Sequence, residues 1–115
     1  MITINIPSDR GSIVVCTQSI IRIEALDNYS RIIFNDRKPL VVAKVLHWFE
    51  DRLPAKTFYR IHKSHLVNWA YVETIHGTWS RASAVLTNGE SINISRRKRS
   101  MLYRNEMELF IDHAA

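Results

Sequence analysis

The dipeptide Asn88-Gly89, set between Val85-Leu86 and the alternating residues 90–94, constrains the chain most. Both residues tolerate left-handed backbone, which a tight hairpin turn requires, so two short strands should flank it. The same two-residue rhythm recurs elsewhere. Ile2, Ile4 and Ile6 alternate with Thr3 and Asn5, and residues 7–11 (PSDRG) then read as a turn. Residues 12–16 are a short β-branched run. In residues 19–26, Ile21, Ile23 and Ala25 should face one way and Arg22 and Glu24 the other. Asp27-Asn28 leads into a return strand over residues 29–34, and Asn35-Asp36 precedes another over 39–43. Residues 70–76 and 79–87 read as strands on either side of Gly77-Thr78. A chain broken by turn residues this often is confined to many short strands.

The period changes twice. From Lys44 to Leu53, apolar Val45, Trp48, Phe49 and Leu53 recur at helical spacing, which predicts about three turns ended by Pro54. From Ser95 onward a terminal helix is expected, with Tyr103, Met107 and Phe110 on its apolar side. Residues 58–69 fit neither period. The expected fold class is mainly β, with one mid-chain and one C-terminal helix. With 115 residues and neither repeat nor linker, residues 1–115 are expected to form one domain.

Many function classes drop out. Hydrophobic residues make up 46%, enough for a core and too many for a disordered tail. No apolar run approaches the roughly 18 residues of a membrane helix, and no signal peptide is visible. The lone Cys16 excludes an intrachain disulfide framework and reads as a small buried hydrophobe, which suits a reducing cytoplasm. There is no nucleophile elbow, phosphate-cradling Gly-rich loop or acid/base carboxylate pair, so no catalytic residue and no cofactor is expected. Glu50-Asp51, Glu106 and Glu108 read as solvated helix residues, and Trp48, Phe49, Trp69, Tyr71 and Trp79 as core. His62 and His65 have a spacing that could grip a metal, but no third ligand lies near in sequence, so no metal is expected.

Charge is more informative. Sixteen Lys and Arg against eleven Asp and Glu give a net +5, which suits a polyanionic partner. Arg96, Arg97, Lys98 and Arg99 are consecutive. If Ser95 caps a helix, these cations sit in its first turn, where the macrodipole favours anions, at about 0.3–1 kcal/mol each. A neighbouring phosphate would reverse that cost. A second group, Arg60, His62, Lys63, Ser64 and His65, mixes long cations with hydroxyl and imidazole donors suited to base edges and phosphates. Charge alone leaves three readings open: duplex DNA binding, a non-specific or RNA-binding module, and a protein-interaction domain with a basic face.

Three stretches together resemble the LytTR DNA-binding domain. They are FYRIHKSHLVN (Phe58 to Asn68), the hairpin with Asn88-Gly89, and Ile94-Ser95-Arg96-Arg97. Upstream, Glu24-Ala25 with Asn28-Tyr29 is similar to the family's E-A-x-x-N-Y stretch, and the resemblance covers about residues 20–105. His65 stands where an aromatic is common. The resemblance implies a mainly β fold of short strands in small, mostly antiparallel sheets, and a cytoplasmic bacterial transcription regulator of the response-regulator, two-component kind. It inserts loops into successive major grooves at paired direct repeats in promoters, with a second copy alongside. Family members usually follow a receiver or membrane-sensing segment, and this chain shows neither. Carried over by motif position, Ser30, Lys63 and Arg97 are expected at base edges. Arg31, Lys44, Arg60, His62, Ser64, Ser95, Arg96, Lys98 and Arg99 are expected at phosphates.

Overall fold

A computed structural model of the chain describes residues 2–78 and 81–98. Trp79, Arg99 and the part of the expected terminal helix beyond Lys98, with Tyr103, Met107 and Phe110, lie outside the described residues. In chain order the elements are β1 (Thr3–Ser8), β2 (Gly11–Cys16), β3 (Ile20–Leu26), β4 (Tyr29–Phe34), β5 (Leu40–Val42) and α1 (Leu46–Glu50). They continue with β6 (Phe58–His62), β7 (His65–Asn68), β8 (Val72–Thr78), β9 (Arg81–Leu86) and β10 (Ser91–Ile94). The fold is thus mainly β, and the described pairings are antiparallel, as the alternation and frequent turns require.

A five-stranded sheet, ordered β5-β4-β3-β7-β6, is the middle layer. The β1–β2 hairpin and α1 cover one face through Ile4, Ile6, Val15, Leu46 and Phe49, which pack with Ile23, Ile32 and Leu66. The three-stranded sheet β10-β9-β8 covers the other face through Ala84, Leu86, Ile92 and Ile94, against Ile21, Ile61 and Val67. A middle layer must be apolar on both faces, and Ile20, Ile21, Arg22 and Ile23 are accordingly all buried.

Local differences from the sequence reading have physical causes. The β3–β4 register shifts between Ile20 and Arg22, so Ile21 is an extra residue that joins Arg22 on the face toward β8–β10. Ile21 and Ile23 therefore sit on opposite faces. The helix expected over 44–53 narrows to Leu46–Glu50, followed by a turn, with Val45 exposed and Leu46 buried in its place. Its N-cap Val45 has no side chain to satisfy the first amides. Residues 58–69, ambiguous in sequence, form the hairpin of β6 and β7 and enter a 3₁₀ turn at Trp69–Tyr71. Gly77 and Thr78 belong to β8 rather than to a turn. Gly77 has φ +113°, and a Cβ there would meet the Arg81 carbonyl at 2.0 Å, so only glycine fits. Phe49 and Trp69 are buried as expected, whereas Trp48, Tyr71 and Cys16 are only partly so.

Among the described residues, one charged group is buried in the packed layers. The Arg22 guanidinium, 7% exposed, donates from Nε and Nη2 to both Glu90 oxygens at 2.9 and 2.7 Å, and from Nη1 to Glu24 at 3.1 Å. These bonds tie the β9–β10 turn to the central strand. The Arg22 bond holds the Glu90 carboxyl below its ordinary range. Burial, aided by nearby Arg22 and His62, pushes His65 down and keeps it neutral despite the facing Glu24 and Glu90. Both shifts favour folding at higher pH. The His65 contribution is lost as pH falls below about 6.5, and that of Glu90 as pH falls below the ordinary carboxylate value of about 4.3. Urea unfolding followed from pH 7 to 3 should therefore show stability declining in two stages. Glu90→Gln should cost about 1–3 kcal/mol at pH 7 and remove the acid stage. A variant curve running parallel to the parent throughout would contradict this.

Candidate nucleic-acid interface

Topology gathers the predicted segments. Because β3 and β4 are antiparallel, their turn at Asp27-Asn28 lies at one end of the middle sheet. Glu24 pairs with His65, so the β6–β7 turn lies at that same end, and Ser30 pairs with Val42, which brings Lys44 there too. Neighbouring strands are about 4.8 Å apart, so this sheet end sets Lys44, Arg31 and Lys63 across about 19 Å. Ser95 follows β10 and donates its amide to the Ile61 carbonyl at 2.8 Å, placing residues 95–98 beside the β6 end of the row.

The β3–β4 turn is tight, with Asp27 at φ 53°. Aspartate tolerates that region better than most side chains. Arg31 is exposed and bonds Glu24 Oε1 at 3.0 Å. Lys44 is half-buried, with its ammonium 5.6 Å from the centre of the Trp48 ring. Arg52 stacks on the same ring at 4.2 Å.

Ser30 does not fit a base-reading role. It is 0% exposed, and its hydroxyl donates to the Lys44 carbonyl at 2.5 Å. Its side chain points into the core face of β4, where alternation places it, and secures the chain leaving β5. Tyr29 and Arg31 are the exposed neighbours.

The β6–β7 turn is Lys63-Ser64. Lys63 is exposed at its tip, with His62 and Ser64 half-buried. The His62 Nδ1 accepts the Ser64 amide at 3.1 Å, which leaves Nε2 as the ring nitrogen available to donate. The Ser64 carbonyl accepts from the Ala25 amide at 2.9 Å. Arg60 differs from the sequence expectation in its surroundings. Its guanidinium is engaged within the protein, with Nη1 on Glu50 Oε1 and Nη2 on the Lys63 carbonyl, each at 2.6 Å.

Ser95 caps the helical turn at residues 96–98, its hydroxyl accepting the Lys98 amide at 3.2 Å. Arg96 and Arg97 are exposed and Lys98 is half-buried. A cleft of about 430 Å³ between this turn and the β6–β7 hairpin is lined by His62, Arg81, Asn93, Ser95 and Arg96. Arg81 was not legible as a site residue, because the β8–β9 pairing alone brings it beside the other two segments. Among the described residues, no three His, Cys, Asp or Glu side chains gather around a common metal position. Nor is any described helix long and apolar enough to cross a membrane.

The geometry is that of a scaffold presenting cationic turns from one end of a sheet. A solved structure assigned as the LytTr DNA-binding domain of a methyl-accepting/DNA response regulator from Bacillus cereus shares this fold. It superposes with a TM-score of 0.76 at 24% identity, over 89% of this chain and 94% of that one. A comparison with curated proteins finds no match. The family model of the LytTr DNA-binding domain matches residues 10–105, ten residues further toward the N-terminus than the motifs indicate. With that match over most of its length, the chain belongs to the LytTR family, the DNA-binding domains of transcription regulators rather than a catalytic family.

Proposed function

We propose that residues 1–115 act as one unit that reads duplex DNA by sequence in the bacterial cytoplasm, within a two-component response regulator. Turns at one end of the middle sheet enter successive major grooves at direct promoter repeats, with a second copy on the neighbouring repeat. The observation that carries this reading is the convergence of the 28–31, 60–65 and 95–98 segments at one sheet end. Two-residue turns are narrow enough to enter a major groove about 12 Å wide.

Lys63 and Arg97 are assigned to base edges, since both are exposed and can reach guanine acceptors. Arg31, Lys44, His62, Ser64, Ser95, Arg96 and Lys98 are assigned to phosphates, and Arg81 joins them through the shared cleft. Arg99 keeps the phosphate role implied by its place in the basic run. The helical start at Ser95 supports this assignment. Amides and cations are gathered in that one turn, and a phosphate turns an unfavourable arrangement of like charges into a favourable one.

Selection from a random duplex pool at physiological salt should enrich a short motif repeated in one direction at whole-turn spacing. Neutralising about six phosphates gives a log–log salt slope near −5. Retention without enrichment, or preference for single-stranded RNA, would replace sequence reading with backbone binding. On the enriched duplex, Arg97→Ala should lose about 1–3 kcal/mol while binding random DNA almost as before. Lys98→Ala should weaken both duplexes alike. Equal effects of the two substitutions would undo the division into base and phosphate contacts. Ser30→Ala should behave in the opposite way, losing about 1 kcal/mol of folding stability with base preference intact. A changed motif in that variant would return Ser30 to the DNA-reading set.

A further inference from the structure

We infer that Arg60 is a positioning residue: anchored by Glu50, it clamps the Lys63 carbonyl and so fixes the turn from which Lys63 meets a base. This rests on the base-reading role proposed for Lys63 and assigns Arg60 and Glu50 a part in specificity rather than in phosphate binding.

The turn needs such support. Lys63-Ser64 joins β6 to β7 with neither residue at positive φ. Two-residue hairpin turns of that kind do not match the right-handed twist of the flanking strands. The mismatch is absorbed by a register shift between Arg60 and His62, which leaves Ile61 as an extra residue buried toward β8–β10. A bulge disrupts the ladder at the base of the turn, so other bonds must define the tip. Three do so: Arg60 Nη2 to the Lys63 carbonyl, the Ser64 amide to His62 Nδ1, and the Ala25 amide to the Ser64 carbonyl. Arg60 makes the one that acts directly on Lys63.

The alternative, Arg60 as a phosphate ligand, conflicts with its partners. Nη1 and Nη2 each donate at 2.6 Å, one of them to the Glu50 carboxylate. Glu50 neutralises the guanidinium and would itself repel a phosphate brought to the same place. The pair is half-buried, with side chains 27% and 33% exposed, so it is less screened than a free surface pair. Glu50 also stands on α1, which is packed through Phe49 and Leu46 on the opposite face from β8–β10. The clamp therefore runs from a helix rooted in the core, through a planar two-pronged group, to one backbone oxygen. Lysine cannot replace it, because an ammonium is a compact point charge without the fork.

Arg60→Lys and Glu50→Gln test this without adding negative charge. Three quantities are measured: affinity for the selected duplex, affinity for a scrambled duplex, and amide exchange of the 62–65 turn in DNA-free protein. Each variant should lower the selected-to-scrambled ratio by about tenfold, the scale of one misplaced base contact, and should speed exchange at the turn. Scrambled-duplex affinity should stay within about threefold of the parent, since positive charge is kept or raised. Added to Lys63→Ala, neither substitution should cost further preference, because both act through Lys63. The proposal is overturned if Glu50→Gln tightens both duplexes with the ratio intact, the signature of a phosphate ligand set free. It is equally overturned if Arg60→Lys leaves both ratio and exchange unchanged. If the parent itself does not distinguish the duplexes, the base-reading role fails on its own. The exchange measurement then decides the clamp alone, faster exchange supporting it and unchanged exchange refuting it.

Discussion

Taking a guanidinium out of water costs several kcal/mol unless its donors are met, and Arg22 is 7% exposed within the packed layers. Glu90 meets it with two oxygens and Glu24 with a third. The apolar packing around Ile21, Val67 and Leu86 is non-directional and would tolerate sliding of one sheet on the other. A bidentate arginine–carboxylate pair does not tolerate it, because both hydrogen bonds require one distance and one plane. Arg22 thus sets the position of the β9–β10 hairpin on the middle sheet. Through that hairpin it sets where Ser95 emerges beside Ile61. Glu24 extends the restraint to β4 through Arg31, and His65 lies against the same charges, held neutral by its burial. The geometry of all three cationic segments depends on this one buried cation.

Much of this architecture is written in local alternation. The hairpins β1–β2, β3–β4 and β9–β10 follow from period two and from Asp-Arg-Gly, Asp27-Asn28 and Asn88-Gly89. What alternation cannot show is an extra residue. Ile21 and Ile61 each occupy a bulge, and one inserted residue reverses the face of everything on one side of it. Both bulges feed isoleucines into the core beneath β8–β10, so they are where the middle sheet acquires its second apolar face. Arg22 was legible only as an outward cation for the same reason. Its partner Glu90 is 68 positions away, and no local pattern announces a contact of that range. The motif match picked out segments that the fold brings to one end of the middle sheet. It could not separate side chains that face outward from those that hold the turns, as Ser30 and Arg60 show.

The interface also explains how a basic surface can be built beside acidic residues. Among the described residues near this sheet end, Glu24, Glu50 and Glu90 are each engaged by an arginine, while Asp27 stands exposed in the β3–β4 turn. Unpaired, the three glutamates would oppose a polyanion. Paired, they become anchors for planar groups that organise backbone. Arginine suits this inward work because its fork spans two acceptors and it stays charged when buried. Exposed Lys63, by contrast, has its backbone held and its side chain left to solvent. The outward charge is therefore set less by how many cations the sequence carries than by which of them the carboxylates leave unspent. A net +5 spread evenly would bind DNA weakly and everywhere. The same excess, with Glu24, Glu50 and Glu90 paired to arginines at one sheet end, is concentrated on a few exposed side chains whose backbones are fixed, which is the condition under which a basic surface can read bases rather than only sense charge.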